Sequence, residues 1–319
     1  MQLNLAEDCA LKVDGNIFLN KVAVSEYLDN NQHLLEGINF IEHLDFHMKY
    51  GYNIDNNPIK IAYDSQGLVQ RIIIKTRNYS NKRLMLNISY DGANYHGFQI
   101  QFEQKTIQGE LSRLISTINN QDIIVQGASR TDAGVHAFNQ VAHFDDASSI
   151  SIEDWKKFLN YQLPKDIHVN RIEKMHPLFH SRYDVYKKEY IYKIKLGDYT
   201  PFLNKYTMHV EYLDFLRLDD QLKKIIGSHD FTSFSKGFKK DSIRNIYDAG
   251  YRIDNEILEI YISGNGFLRY MIRLIVNHVV NFATKKTDLD ILDIIKEKSR
   301  KNTRDLAPAN GLYLNKIIY

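Results

Sequence analysis

Arg130-Thr131-Asp132-Ala133-Gly134 sets one carboxylate between a cation two residues before it and a glycine two residues after it. Small residues on the far side let the backbone turn sharply and leave room for a flat ligand to approach the carboxylate. Such a group can act as a nucleophile or stabilise charge, and it can equally close an Asx-type turn that serves only local N–H groups. A nucleophilic carboxylate has to stay ionised while shielded from water. Arginine is its natural partner, because it keeps its charge when desolvated and forks onto both oxygens.

Arg273 is placed to be that partner. The run from Phe267 to Ala283 reads as one apolar helix, with Arg269 one turn before Arg273 on the same face and Met271, Leu274, Ile275 and Val279 supplying apolar positions. Two arginines on so apolar a helix each need an anion or a route to solvent, and Arg269 is expected to reach water. Tyr190 and Tyr192 alternate on one strand face. A tyrosine there can stack on a base at a cleft or simply fill a core.

Other chemistries find little support. His136 lies four residues after Asp132, but two ligands do not make a metal site, and no Cys/His cluster has coordinating spacing. There is no phosphate-cradling glycine loop, nucleophile elbow or dinucleotide fingerprint. Neither a metal nor a nucleotide cofactor is therefore expected. Carboxylate-based glycoside hydrolysis needs two cooperating acids. No second acid lies in the Asp132 loop, and Asp145-Asp146 is expected to cap a strand ending at Phe144.

The single cysteine, Cys9, excludes an internal disulfide framework and fits a reducing compartment. Residues 1–10 include Glu7 and Asp8 and no long apolar run, so no secretory signal is visible. The most apolar segment, 267–283, carries Arg269, Arg273 and His278 and is too short to cross a bilayer, which leaves the cytoplasm as the default location.

Charge is distributed unevenly. Residues 1–80 hold seven Lys and Arg against ten Asp and Glu, whereas 81–319 hold 34 against 29. Lys187-Lys188, Lys236 with Lys239-Lys240, and Arg269 with Arg273 lie beside Tyr186, Tyr190, Phe234 and Tyr270. Positive charge holding phosphates and ring faces holding splayed bases would suit RNA, while the same pattern also describes solvated faces over packed aromatics.

The elements that must position these groups begin after a polar break at Asn78 to Asn81. Leu84, Leu86, Ile88 and Tyr90 alternate as a strand that stops at Asp91-Gly92. From the N-cap Thr106, Ile107, Leu111, Leu114, Ile115 and Ile118 recur at helical spacing. A strand over 122–126 leads into the Asp132 loop, and one over 139–144 leaves it. Later, 188–196 and 257–263 read as strands, 218–227 as a helix, and 290–301 as a surface helix. In the N-terminal part 22–40 reads as helical, with Leu28, Leu35 and Ile38 apolar, and 68–74 as a strand. Two halves, each of strands and crossing helices, make an α+β chain with a cleft between them.

Residues 82–319 resemble the TruA-type tRNA pseudouridine synthases through ordered motifs. They are 90–99 (YDGANYHGFQ), 130–137 (RTDAGVHA), 163–167 (LPKDI), 179–183 (FHSRY), 188–192 (KEYIY), 229–234 (HDFTSF), 264–273 (GNGFLRYMIR) and 307–313 (APANGLY). The resemblance implies an isomerase that converts uridines of the tRNA anticodon arm, positions 38–40, without cofactor or metal. It implies two pseudo-repeated halves sharing a continuous antiparallel sheet flanked by helices, and a homodimer whose subunits share each tRNA. By the same carry-over Asp132 is the nucleophile, attacking C1′ of the ribose or C6 of the base. Tyr190 stacks on the target base, Arg273 pairs with Asp132, and Arg130 helps hold the flipped nucleotide. An RNA-binding or RNA-folding protein on the same scaffold, its activity lost or secondary, is the competing class.

Ser129 departs from the family's usual glycine, and Ser181 from its usual alanine. The resemblance does not reach residues 1–80, read as a small α+β appendage. The expected division is 1–80, 81–180 with the Asp132 loop, and 181–319.

Overall fold

Fully buried Leu84, Leu86 and Ile88 alternate along the strand that founds the main sheet. The computed structural model describes residues 3–41, 48–76, 82–237 and 241–319. The break at Asn78 to Asn81 and the Lys239-Lys240 pair lie outside the described residues.

The N-terminal part forms its own six-stranded sheet. It comprises β1 (Leu5–Val13), β2 (Asn16–Leu19), the helix α1 (Lys21–Asn30), β3 (Asn39–Ile41), β4 (Met48–Tyr52), β5 (Pro58–Tyr63) and β6 (Val69–Ile74). Strand order is β2-β1-β6-β5-β4-β3, with β1 and β6 parallel and the other neighbours antiparallel. Leu11, Val24, Ile59, Ile61, Ile72 and Ile74 fill a core separate from that of the rest of the chain. The helix expected over 22–40 stops at Asn30. The next residue, Asn31, leaves helical geometry at φ −135°, and Leu35 and Ile38 reach the core from a 3-10 turn and a loop instead.

The second sheet takes the remaining strands: β7 (Lys82–Tyr90), β8 (Gln126–Gly127), β9 (His136–Asp146), β10 (Ile167–Met175), β11 (Lys187–Leu196), β12 (Met208–Val210), β13 (Gly227–Asp230), β14 (Ile243–Asp254), β15 (Ile257–Gly264) and β16 (Leu312–Ile318). Its path is β10-β7-β9-β16-β11-β15-β14-β13, with β8 beside β9 and β12 beside β11. The sheet is continuous across both halves. It is antiparallel within each half except for β12, and the halves join through a parallel pair, β9 with β16, where Tyr313 faces His136 and Leu314 faces Ala137.

The helices α2 (Ile107–Asn119), α3 (Ile152–Gln162), α4 (Phe215–Lys224), α5 (Met271–Ala283) and α6 (Ile291–Glu297) all bury apolar side chains in one core shared by both halves. Thr106 caps α2 by accepting from Gly109 N–H, as its position before the periodic run predicts. The helix read over 218–227 lies at 215–224, and the one read over 290–301 ends at Glu297, because Lys298 turns left-handed at φ 48°. Asp145 and Asp146 sit inside β9 rather than capping it. Asp145 pairs with Arg83, and Asp146 accepts from the indole N–H of the buried Trp155.

The strand read over 122–126 shrinks to β8. Its backbone bonds to side chains of α2 instead of to a sheet neighbour: Ile123 N–H donates to Ser116 Oγ, Val125 N–H to Ser112 Oγ, and Gln108 Nε2 donates to Val125 O. The β-branched run is real, but a helix satisfies it. Replacing Ser112 by Ala would strand the buried Val125 N–H, and urea denaturation should show a loss of about 1–3 kcal/mol; an unchanged midpoint would contradict this pairing.

Candidate active site

The Asp132 loop is held by contacts that begin far away in sequence. Thr131 O accepts from Phe98 N–H at 3.1 Å, and Thr131 Oγ lies 2.7 Å from the Tyr90 hydroxyl. Gln140 brackets Ser129, accepting from its N–H at 3.1 Å and donating to its carbonyl at 2.8 Å. Gly97, at φ +90°, lets the neighbouring backbone close in, since a Cβ there would fall 2.6 Å from Thr131 O. The turn itself is closed by main chain, Val135 N–H donating to Asp132 O at 3.2 Å, with Gly134 at φ +77°. Among the described residues no backbone N–H donates to the Asp132 carboxylate. The Asx reading of this residue therefore gives way to a carboxylate whose oxygens face the cleft.

Arg273 meets that carboxylate from α5, with its Nη1 3.6 Å from Asp132 Oδ2, an ion pair rather than a short hydrogen bond. The side chains of Arg273 and Asp132 are 13% and 24% exposed, enough burial for the charges to be felt. Arg273 is itself aimed, because its Nε donates to Ala307 O at 2.7 Å while Ala307 N–H donates to Arg273 O. Burial raises the Asp132 pKa above the ordinary carboxylate value, and the charges of Arg273 and then Arg269 pull it back down.

Arg269 corrects the sequence reading. It does not lie on the helix, which begins at Met271; Tyr270 is left-handed at φ 65°, and 267–270 form a non-helical approach to it. Spacing alone could not reveal this, since Phe267 and Tyr270 also fit a helical period. Arg269 is exposed, as expected, and lies against the Tyr270 ring at 4.9 Å.

Tyr190 is buried on β11, with Phe267 edge-on to its ring at 5.3 Å. Its hydroxyl lies 2.7 Å from Ser129 Oγ, so the serine that departs from the family's usual glycine ties the loop to β11. Burial pushes the Tyr190 pKa up to about 12, opposed by the Ser129 hydroxyl and reinforced by the charge of Asp132. Tyr192 turns its hydroxyl to Pro308 O and fills core.

Asp132, Arg273, Tyr190 and Arg130 line one cleft of about 520 Å³ at the joint between the two halves. Lys188, from one of the basic clusters noted in the sequence, lines it too, as does Arg182, which carries no role from sequence although it sits in a quoted motif. Lys188 Nζ donates to Ala128 O at 2.7 Å, and burial with the nearby Arg182 lowers its pKa to about 8. Gln140 gave no sequence signal, because its partners lie eleven and fifty residues away.

His136 faces away from this chemistry. Its Nδ1 is 3.0 Å from Asp91 Oδ1, its ring stacks on Tyr313 at 4.7 Å, and burial lowers its pKa. Among the described residues, no three His, Cys, Asp or Glu side chains gather as a metal site would require. None of the described helices is long and apolar enough to cross a membrane.

Comparison with known proteins places this geometry in context. A family model described as tRNA pseudouridine synthase matches residues 87–184 and 222–319, which include Asp132 and Arg273 but not Tyr190 or the N-terminal sheet. The chain is 40% identical over 245 residues to tRNA pseudouridine synthase A of Geobacillus sp. (strain WCH70), covering 75% of this chain and 99% of that protein. It is 40% identical over 238 residues to tRNA pseudouridine synthase A 2 of Bacillus cereus (strain ATCC 14579), covering 73% and 97%. Against tRNA pseudouridine synthase A of Lacticaseibacillus casei (strain BL23) it is 40% identical over 244 residues, covering 73% and 98%.

The raised Asp132 pKa fixes the sign of a stability effect. A carboxyl whose folded pKa exceeds its unfolded one favours the folded state only when protonated, so stability is lost as pH rises from about 4 through the folded value. Asp132→Asn should therefore melt no lower than the parent at pH 7, with the difference fading toward about pH 4. A markedly lower midpoint in calorimetry at pH 7 would contradict this.

Proposed function

Because this chain belongs to the tRNA pseudouridine synthase family, we propose that it isomerises uridines of the tRNA anticodon stem-loop, at positions 38–40, with Asp132 as the nucleophile. The observation that carries the reading is the Asp132 carboxylate, free of backbone donors among the described residues and paired with Arg273 inside a cleft that also holds Tyr190.

The reaction moves no atoms in or out. The N1–C1′ bond of uridine breaks, the uracil turns, C5 bonds to C1′, and the proton lost from C5 is matched by one gained at N1. Asp132 attacks either C1′ or C6, and both routes pass through a covalent link to this carboxylate. Arg273 keeps the carboxylate ionised while water is excluded and leaves its second oxygen orientated for attack. Tyr190 stacks on the target base, with its hydroxyl held by Ser129, and it stays protonated at neutral pH. Arg130, exposed at the mouth, holds the flipped nucleotide. Extracting a base costs a few kcal/mol, about what stacking and phosphate contacts can return.

The chain is read as dividing into 1–80, 81–180 and 181–319, acting as a homodimer that shares each tRNA, in the cytoplasm. The cleft lies at the joint of the last two parts.

Two measurements test this reading. Asp132→Ala should bind tRNA as the parent does and lose pseudouridine formation by about 10⁴-fold or more; undiminished product would remove Asp132 from the mechanism. Mapping pseudouridines in tRNA from cells with and without the protein should show losses confined to the anticodon arm, and losses elsewhere would overturn the assigned target.

A further inference from the structure

The N-terminal sheet lies outside the matched segments, yet it is joined to the catalytic body by a buried polar clamp. Asp184 accepts from the Tyr50 hydroxyl and from Lys60 Nζ, both on the N-terminal sheet, and from His180 N–H at 2.7 Å. Tyr50, Lys60 and Asp184 are 6%, 6% and 5% exposed. Around them Met48 and Tyr50 pack with Met85, Ala128, Val141 and Phe179, and His176 Nε2 donates to Gly51 O at 3.1 Å. Ala128 opens the loop that carries Asp132, so this joint sits directly behind the cleft.

The clamp also closes a short turn. From His180 to Asp184 the chain is held by Tyr319, whose hydroxyl donates to Ser181 O at 2.6 Å, and by Ser181 Oγ donating to Gln126 O at 2.7 Å. Arg182 stands in the middle of that turn and reaches the cleft wall beside Arg130 and Lys188. Among the described residues none of these three cations has an acidic partner. Cations gathered without an acid in one cleft suit the phosphates of an RNA backbone.

We propose that the N-terminal sheet is a positioning element for the cleft: Tyr50 and Lys60 fix Asp184, and through the 180–184 turn they hold Arg182 as a contact for a backbone phosphate of the RNA substrate. A buried ion pair contributes little net stability but fixes geometry tightly, which is what placing a phosphate contact requires. The inference rests on the tRNA reading above for its ligand.

The test uses full-length Tyr50→Phe, Lys60→Met and Arg182→Gln proteins, with tRNA affinity measured across salt concentrations and single-turnover pseudouridine formation at saturating enzyme. Arg182→Gln should weaken binding several-fold and lower the salt slope by about one. Tyr50→Phe and Lys60→Met should reproduce part of that loss with the saturated rate unchanged. Combined with Arg182→Gln, neither should add to it.

Affinity equal to the parent's in Tyr50→Phe and Lys60→Met, or losses that add in full to that of Arg182→Gln, would overturn the proposal. Should Lys60→Met fail to fold, Tyr50→Phe decides alone, since it keeps the ring and removes only the hydroxyl. A parent that binds tRNA through Arg182 but forms no pseudouridine would sink the functional reading and leave the positioning role standing.

Discussion

A carboxylate kept charged in a place that disfavours charge is the constraint on which the catalytic body is built. Burial pushes the Asp132 pKa up and the guanidinium of Arg273 pulls it back, so the carboxyl sits above its ordinary value but below where burial alone would put it. At 3.6 Å the pair is close enough to hold the ionised form and too long to consume its oxygens in a tight fork. Much of the surrounding architecture keeps that distance. Tyr90, Gln140 and Phe98 fix the loop, Ala307 aims Arg273, and the parallel joint of β9 with β16 brings the two halves together behind them.

The same joint explains why the site is lodged between halves rather than within one. Asp132 comes from the loop entering β9, Tyr190 from β11, and Arg273 from α5, and only a sheet continuous across both halves brings the three together. A shared core means that the cleft walls cannot move independently without disturbing packed side chains. The N-terminal sheet keeps its own core and meets the body through side chains of mixed polarity around Asp184.

Legibility followed the range of the causes. β7, β11 and β15 were readable because alternation is local, and α2 because its cap and apolar stripe lie within thirteen residues. Asp132 and Arg273 stand out by residue type and neighbourhood, a shielded carboxylate calling for a guanidinium, and the resemblance pairs them as well. Elements whose partners are distant could not be read. Residues 122–125 look like a strand until Ser112, Ser116 and Gln108 take their hydrogen bonds. α5 starts four residues later than its apolar period implies, because a left-handed Tyr270 leaves no trace in that period. The tie between Ser129 and Tyr190, sixty-one residues apart, appears only once the sheet is formed.

The most direct test is a carboxyl-carbon NMR titration of Asp132 in the parent and in Arg273→Met. The account predicts a pKa above the ordinary carboxylate value in the parent and a higher one once the guanidinium is gone. Identical titration curves, or a parent value at or below that of an exposed aspartate, would contradict it.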